Sequence, residues 1–351
     1  MKIAVVTVHD SANFGSFLQA YALKNVLEKD GHEVCFAITR DKKYVKGLYY
    51  KFVLSREAVL HPFRTLKNIF YGMKKYKLFK AEQECFKEIS ADEIKNCDMS
   101  ILGSDEIWNI RTDVFRYPVF YGEYSKKAIA YAVSAGLAKP EEFEKYPQIK
   151  EYIKKIKSPL VRDENTASCV EKITGTYPET VCDPTLLADK EIYNKSYEDE
   201  YLNSNRCLML YAYQPDLKTR SIIVDFARKQ GLKLVSVGFY YDWCDYNVIC
   251  SPLEFCSVLK KAEYVITTTF HGTIFSVLNN KKFVSIPLSQ KTDDVLKKFG
   301  LEDVKLSFDT LSTEVLEEKL CGFSTDYSAV NDKIIAMRED SLSKLRERIR
   351  G

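Results

Sequence analysis

Glu263-Tyr264-Val265-Ile266-Thr267-Thr268-Thr269-Phe270-His271-Gly272-Thr273-Ile274-Phe275-Ser276 is the stretch whose reading decides the fold. The β-rich run Tyr264 to Thr268 ends in hydroxyl side chains, and Ile274, Val277 and Leu278 then recur with helical spacing. A strand therefore hands over to a helix, with His271 at the junction. In an open parallel sheet such junctions lie at the carboxyl ends of the strands, where ligands bind and helix N-termini offer unpaired N–H groups to anions. This makes His271 the first candidate for chemistry, against the alternative of a histidine that merely closes a turn. Thr268, Thr269 and Thr273 supply hydroxyls beside it, and Gly272 lets a ligand come close to the backbone, which favours a binding role.

The same alternation appears at the amino end. Ile3 to Val8 is a continuous apolar run, as expected of a strand buried on both faces of a parallel sheet. A polar loop containing Asn13, Gly15 and Ser16 follows, then a helical pattern through Leu18, Tyr21, Ala22 and Leu27 up to Gly31, then a strand from Glu33 to Ile38. The loop lacks the G-x-G-x-x-G spacing, so a dinucleotide is not indicated.

Further on, the strand Asp98 to Leu102 runs into Gly103-Ser104-Asp105-Glu106-Ile107-Trp108-Asn109. Ser104, Asp105 and Trp108 suit an acceptor-binding corner, with Asp105 taking a proton from a sugar hydroxyl and Trp108 stacking on a pyranose ring. An N-cap aspartate and a core tryptophan account for the same residues. Ala128 to Val133 is another strand, and Ser158 to Asp163 reads as strand into loop. Arg162 is the cation for the cleft, because a guanidinium binds phosphate or carboxylate through two parallel hydrogen bonds; a structural pair with Asp163 or Glu164 is the alternative.

Asp183-Pro184-Thr185 closes the first half with a proline-marked turn, and the polar stretch Ile192 to Arg206 reads as a linker. The pattern then restarts with strand Cys207 to Tyr213, helix Leu217 to Gln230 and strand Leu234 to Gly238. The opening stretch follows, then strand Phe283 to Ile286. The expectation is an α/β protein of two Rossmann-like domains. Residues 1–195 form the first, with a basic, aromatic helical insert at about 40–85; residues 196–330 form the second; a C-terminal helix occupies 331–351.

Composition bounds this reading. At 351 residues the chain exceeds the ~100–150 of a single domain, and 46% hydrophobic content fits a folded protein. A formal charge of +3 gives no global case for nucleic acid. The ten cysteines lie scattered with no C-x-x-C pair, which reads as reduced thiols without a disulfide framework or zinc site. Neither a metal nor a bound cofactor is demanded. The run from Met1 to Val8 meets His9 and Asp10 too soon for a secretory segment, and no run approaches ~18 apolar residues, so a cytoplasmic location is expected. From Arg40 to Lys80 a dense series of lysines and arginines, interleaved with Tyr and Phe, faces only Asp41 and Glu57 as acids. Residues 40–80 suit contact with an anionic membrane surface, which implies a peripheral place at its inner face, a grip on an anionic or lipid-linked substrate, or a helix face that is simply solvated.

Taken together, Asn13-Phe14-Gly15-Ser16-Phe17-Leu18-Gln19-Ala20, Gly103-Ser104-Asp105-Glu106-Ile107-Trp108-Asn109, Ala130-Tyr131-Ala132-Val133-Ser134-Ala135-Gly136, Val161-Arg162-Asp163-Glu164, Asp183-Pro184-Thr185 and Thr269-Phe270-His271-Gly272-Thr273 resemble the polysaccharide pyruvyl transferase family, in order from about residue 1 to 300. The resemblance implies two Rossmann-like domains facing across a cleft, similar to the B-type glycosyltransferase architecture. It also implies transfer of pyruvate from phosphoenolpyruvate onto a sugar of a glycan or lipid-linked glycan as a ketal.

The family's histidine falls on His271, as acid or phosphate ligand, and its cleft arginine on Arg162, with Arg111 as the substitute. Asp105 is then the base. Asn13, Gly15, Ser16, Ser104 and Trp108 belong to the acceptor side, and Thr268, Thr269, Gly272, Thr273 and Lys282 to the donor side. Some members carry an arginine shortly before the histidine. Here Thr268-Thr269-Phe270 stand in that place, and Lys281 or Lys282 is expected to supply the charge. A nucleotide-sugar glycosyltransferase and a catalytically silent glycan-binding member are the competing expectations.

Overall fold

The structure, a computed structural model, describes residues 1–39, 61–213 and 215–351. Part of the basic stretch expected at 40–85 therefore lies outside the described residues. Strands β1 (Lys2–Val6), β2 (Glu33–Ala37), β3 (Glu88–Ile89), β4 (Met99–Leu102) and β5 (Ala128–Ala130) form a parallel sheet in the order β3-β2-β1-β4-β5. Ile3 to Val6 are wholly buried, with Val5 opposite Phe36 on one side and Ile101 on the other. Their uninterrupted apolar character follows from helices covering both faces. Two short strands, β6 (Leu160–Val161) and β7 (Glu179–Thr180), extend this edge through bridges of Val133 to Asp105 and to Val161.

A second parallel sheet contains β8 (Cys207–Tyr211), β9 (Lys233–Val237), β10 (Tyr246–Val248), β11 (Tyr264–Thr267) and β12 (Lys282–Ser285) in the order β10-β9-β8-β11-β12. Both sheets thus follow one plan, in which the strand order reverses between the first and fourth strands. The crevice beyond the carboxyl ends at that reversal is where ligands bind in such sheets. In the first domain it is framed by residues 7–16 and 103–109, in the second by residues 212–213 and 268–271.

Six helices matter for the site: α1 (Phe14–Lys29), α2 (Pro62–Gln83), α3 (Pro184–Leu187), α4 (Phe270–Leu278), α5 (Gln290–Phe299) and α6 (Tyr327–Arg350). Asn13 caps α1 by accepting from Ser16 N at 3.1 Å. Phe14, at the start of α1, stacks on Phe255 of the second domain with centroids 4.5 Å apart, and Phe275 packs edge-on against the same ring. The two domains therefore share one apolar core, which runs from Ile3 to Ile349. Complete burial of a phenylalanine is worth roughly 1.5–3 kcal/mol, enough to fix the relative position of the facing loops.

Two helices reinforce this join. On α2, Gln83 Nε2 donates to the carbonyls of His9 and Ser11 in the first domain, while the Tyr71 hydroxyl and Lys75 Nζ donate to Val248 O and Gly238 O in the second, each at 2.9 Å. At the other end of the chain α6 returns to the first domain, where Arg346 grips Asp30 through two 2.8 Å bonds and Ser341 Oγ accepts from Cys182 N. It starts at Tyr327, earlier than the 331 expected, because Asp326 caps it by accepting from Ser328 N. The polar stretch read as a linker contains short helical turns at Lys190–Tyr193 and Glu200–Ser204. Tyr193 is wholly buried there and donates to Thr185 O.

Candidate active site

His271 is the second residue of α4, whose first turn is capped by Thr269 Oγ1 accepting from Gly272 N at 2.9 Å. The imidazole crosses the domain interface. It lies so close to Gly15 of α1 that a Cβ there would stand 2.0 Å from Nδ1. On its other side Nε2 is 3.6 Å from Asp183 Oδ2, an ion-pair distance rather than a hydrogen bond.

Asp183 caps the short helix α3 and is fully enclosed. Its Oδ1 accepts from Thr185 N and Oγ1, and its Oδ2 accepts from Arg162 Nη1 at 2.8 Å and Ser104 Oγ at 3.5 Å. Burial opposes its ionisation, yet the facing His271, the Arg162 guanidinium and the Thr185 bonds outweigh that cost and hold the carboxyl well below the usual carboxylate range. Burial likewise opposes the charge on Arg162, but Asp183, Asp105 and Asp163 overcome it and push its pKa up. The guanidinium lies 5.0 Å from the centroid of Phe270, and its Nε and Nη2 have no hydrogen-bond partner among the described residues.

A cleft of about 520 Å³ opens between the two strand-order reversals. From the first domain it is lined by Asn13, Ser16, Asp105, Glu106 and Asn109, and from the second by Tyr213, Thr268, Thr269, His271, Ser289 and Lys291. Asp105 sits in left-handed backbone (φ 75°) and accepts from Ser16 Oγ at 2.8 Å. Lys291, in the first turn of α5, reaches across the cleft to Glu106 at 2.5 Å and stands 5.3 Å from the Phe270 ring. Burial opposes the charge on Glu106, but Lys291 prevails and holds its pKa down. A wider depression of about 860 Å³ along Leu342, Arg346 and Arg350 gathers residues of α6 and the Gly351 that follows it.

Asn13, Ser16, Asp105, Thr268, Thr269 and His271 thus meet in one cleft. Several other expected residues do not reach it directly. Arg162 is buried behind Asp183 and is not free to clamp an anion in the open cleft. Trp108 is 1% exposed, donates to Phe120 O at 3.1 Å and stacks on Tyr121, so it belongs to the core and offers no platform to a sugar. Ser104 is wholly buried against Asp183. Gly15 is covered by His271 rather than by an acceptor.

Gly272 is required by packing, since a Cβ would stand 2.1 Å from Thr267 Oγ1, and Thr273 is buried against Ser285 and Thr269 O. Lys282 opens β12 at the amino end of the strand, away from the cleft, and lies near the Tyr264 ring. Lys281 is spent on the carbonyls of Lys260 and Ala262, and Arg111 pairs with Glu142. The sequence reading missed Asp183, Glu106 and Lys291. Asp183 stood in its quoted motif with Pro184 and Thr185, and Lys291 follows the turn at Pro287 where a helix N-terminus meets the cleft.

The family model for polysaccharide pyruvyl transferase matches residues 13–290, a span that includes Asn13, Ser16, Asp105, Glu106 and His271 of this cleft, with Lys291 one residue beyond it. The chain belongs to the polysaccharide pyruvyl transferase family. No curated protein matches it in sequence. Among solved structures this family member is similar to a protein from Listeria monocytogenes assigned as a UDP-N-acetylglucosamine 2-epimerase (TM-score 0.59, 12% identity, covering 99% of this chain and 95% of that one). It is also similar to a UDP-GlcNAc 2-epimerase from Neisseria meningitidis bound to UDP-GlcNAc (0.56, 10%, 99% and 99%) and to the spinosyn rhamnosyltransferase SpnG (0.51, 11%, 100% and 100%). At such identities the likeness establishes the fold, two Rossmann-like domains facing across a cleft as in B-type glycosyltransferases.

Proposed function

We propose that this family member transfers pyruvate from phosphoenolpyruvate to two hydroxyls of a sugar, in a surface polysaccharide or its lipid-linked precursor, as a ketal. The observation that carries the reading is His271, held between Gly15 of one domain and the buried, ionised Asp183, beside a cleft that both domains line. The chemistry needs a proton added to the methylene carbon, two C–O bonds formed at C2 and the C2–O–phosphate bond broken. The two hydroxyl protons balance it: one equivalent appears on the new methyl group and the other on the departing phosphate.

The residues suit these demands. His271 is the proton donor, with Asp183 fixing the ring and Arg162 keeping Asp183 charged, so that Arg162 acts as a positioning residue separated from the substrate by Asp183 and His271. Lys291 is the cation for the donor's phosphate and carboxylate, exchanging Glu106 for the substrate, and the N-termini of α4 and α5 add partial positive charge on the same side. Asp105, held by Ser16, is the base that takes the acceptor hydroxyl's proton.

The test is incubation of the purified protein with phosphoenolpyruvate and an oligosaccharide acceptor, following phosphate release and the mass of an added pyruvate ketal on the sugar. Tight binding of uridine or guanosine diphosphate with no response to phosphoenolpyruvate would overturn the reading in favour of a nucleotide-sugar glycosyltransferase.

A further inference from the structure

Helix α2 turns opposite faces to different surroundings. Tyr71, Phe79 and Gln83 are buried against the two domains, and Lys75 points the same way, its Nζ on Gly238 O and within 5.2–5.8 Å of the rings of Phe14, Phe79 and Phe239. On the outer side Phe63, Leu66, Phe70 and Met73 are 82, 65, 58 and 59% exposed. Their spacing of three, four and three residues sets them in one stripe along the helix, about 15 Å long at the helical rise. Single exposed apolar side chains are ordinary on a protein surface, whereas a contiguous stripe of four marks a place where something binds.

The flanks identify what. From Pro62 to Ala81 the helix carries Arg64, Lys67, Lys74, Lys75, Lys77 and Lys80 and no acid. Lys67 and Lys74 border the stripe on one side and Lys80 on the other, Lys77 continues it, and all four are exposed. Lys74 Nζ lies over the Phe70 ring, 4.4 Å from its centroid, so a cationic charge stands directly beside the apolar stripe. A second copy of the chain set on this face would press like charges together. A partner with an apolar interior and a negatively charged rim fits it.

We propose that α2 docks the protein on an anionic lipid surface, with Phe63, Leu66, Phe70 and Met73 entering the boundary between headgroups and acyl chains and the four lysines meeting the lipid phosphates. No described helix is long and apolar enough to cross a membrane, so the contact is interfacial. The lipid contact stands independently of the reaction assigned above. What rests on that reading is its use: α2 ends with Gln83 bound to the carbonyls of His9 and Ser11 beside the cleft, so docking brings the cleft to a lipid-linked acceptor.

Flotation of the full-length protein with vesicles of phosphatidylcholine alone, or of phosphatidylcholine with phosphatidylglycerol, tests the docking without any substrate. Binding is expected to the anionic vesicles, weakening as salt rises. Phe63→Ser and Phe70→Ser should each weaken it about tenfold or more, and Lys67→Gln, Lys74→Gln and Lys77→Gln about fivefold each, with unfolding midpoints unchanged at these exposed sites. The lysine variants keep the test decisive if a serine variant fails to fold. Absence of binding to anionic vesicles, or binding that none of the five substitutions alters, would overturn the proposal. So would light scattering that shows a dimer dissociated by Phe70→Ser, which would assign the stripe to a second copy.

Discussion

Replacing Gly15 by alanine isolates the contact on which the site depends. Gly15 lies in the first turn of α1 outside the left-handed region, so backbone preference alone favours alanine, by up to about 1 kcal/mol. The facing domain decides otherwise. The new Cβ would stand 2.0, 2.5 and 2.7 Å from Nδ1, Cγ and Cε1 of His271, where carbon atoms normally keep about 3.5 Å from such neighbours. The ring must retreat by roughly 1.5 Å from a close-packed interface, a change that typically costs about 1–3 kcal/mol. It would also leave its 3.6 Å approach to Asp183, and misplacement on that scale costs on the order of a hundredfold in rate.

The assay is a double-mutant cycle. Thermal or denaturant midpoints are compared for wild type, Gly15→Ala, His271→Ala and the double variant, alongside phosphate release from phosphoenolpyruvate. In the double variant the clash is gone, so the destabilisation by Gly15→Ala should vanish or reverse, giving a coupling of about 1–3 kcal/mol. Additivity within about 0.5 kcal/mol, or a Gly15→Ala protein with wild-type stability and rate, would refute the placement of His271 against α1.

Three further outcomes follow. Asp183→Asn leaves the Arg162 guanidinium buried without its counter-charge and should cost about 3–5 kcal/mol at neutral pH. Because the folded carboxyl titrates far below its unfolded value of ~3.9, the stabilisation is complete above that value and fades as pH falls below it, so wild type and variant should converge in stability in acid. Lys291→Gln should raise the KM for phosphoenolpyruvate about 10–100-fold by removing a charged hydrogen bond, while Lys282→Gln, at the far end of β12, should leave it within about twofold. Burial pushes the Lys75 ammonium down to about 8, so the folded protein binds fewer protons than the unfolded chain between that value and ~10.4; wild-type stability should rise relative to Lys75→Met over that interval, as read from unfolding midpoints at stepped pH.

The sheets were legible because parallel strands covered on both faces must be apolar throughout, and Ile3 to Val6, Cys207 to Tyr211 and Tyr264 to Thr267 declare themselves that way. Two-residue strands such as Glu88–Ile89 and Glu179–Thr180 carry no such signal, since their pairing is imposed by neighbours. The strand ends were legible too, and with them Asn13, Asp105 and His271. What local pattern could not separate was the side chain that faces the cleft from the one that supports it. Trp108 and Ser104 sit beside Asp105 in sequence, yet the turn that exposes Asp105 sends both of them inward.

The choice between Lys282 and Lys291 is different, because the physical rule was already in hand. Ligands gather at the carboxyl ends of parallel strands, and Lys282 precedes the strand Phe283 to Ile286, whereas Lys291 follows it at a helix N-terminus. Sequence distance from His271 favoured a lysine that lies outside the cleft; strand polarity points to the one that lines it. The partners of His271 were beyond any local rule, since Gly15 and Asp183 come from distant segments of the other domain. Their only trace is indirect: a glycine in the first turn of a helix where alanine would be the better former, and an aspartate capping a buried turn with an acceptor oxygen left over. Each is a small local cost that makes sense only when a group from elsewhere in the chain fills the place.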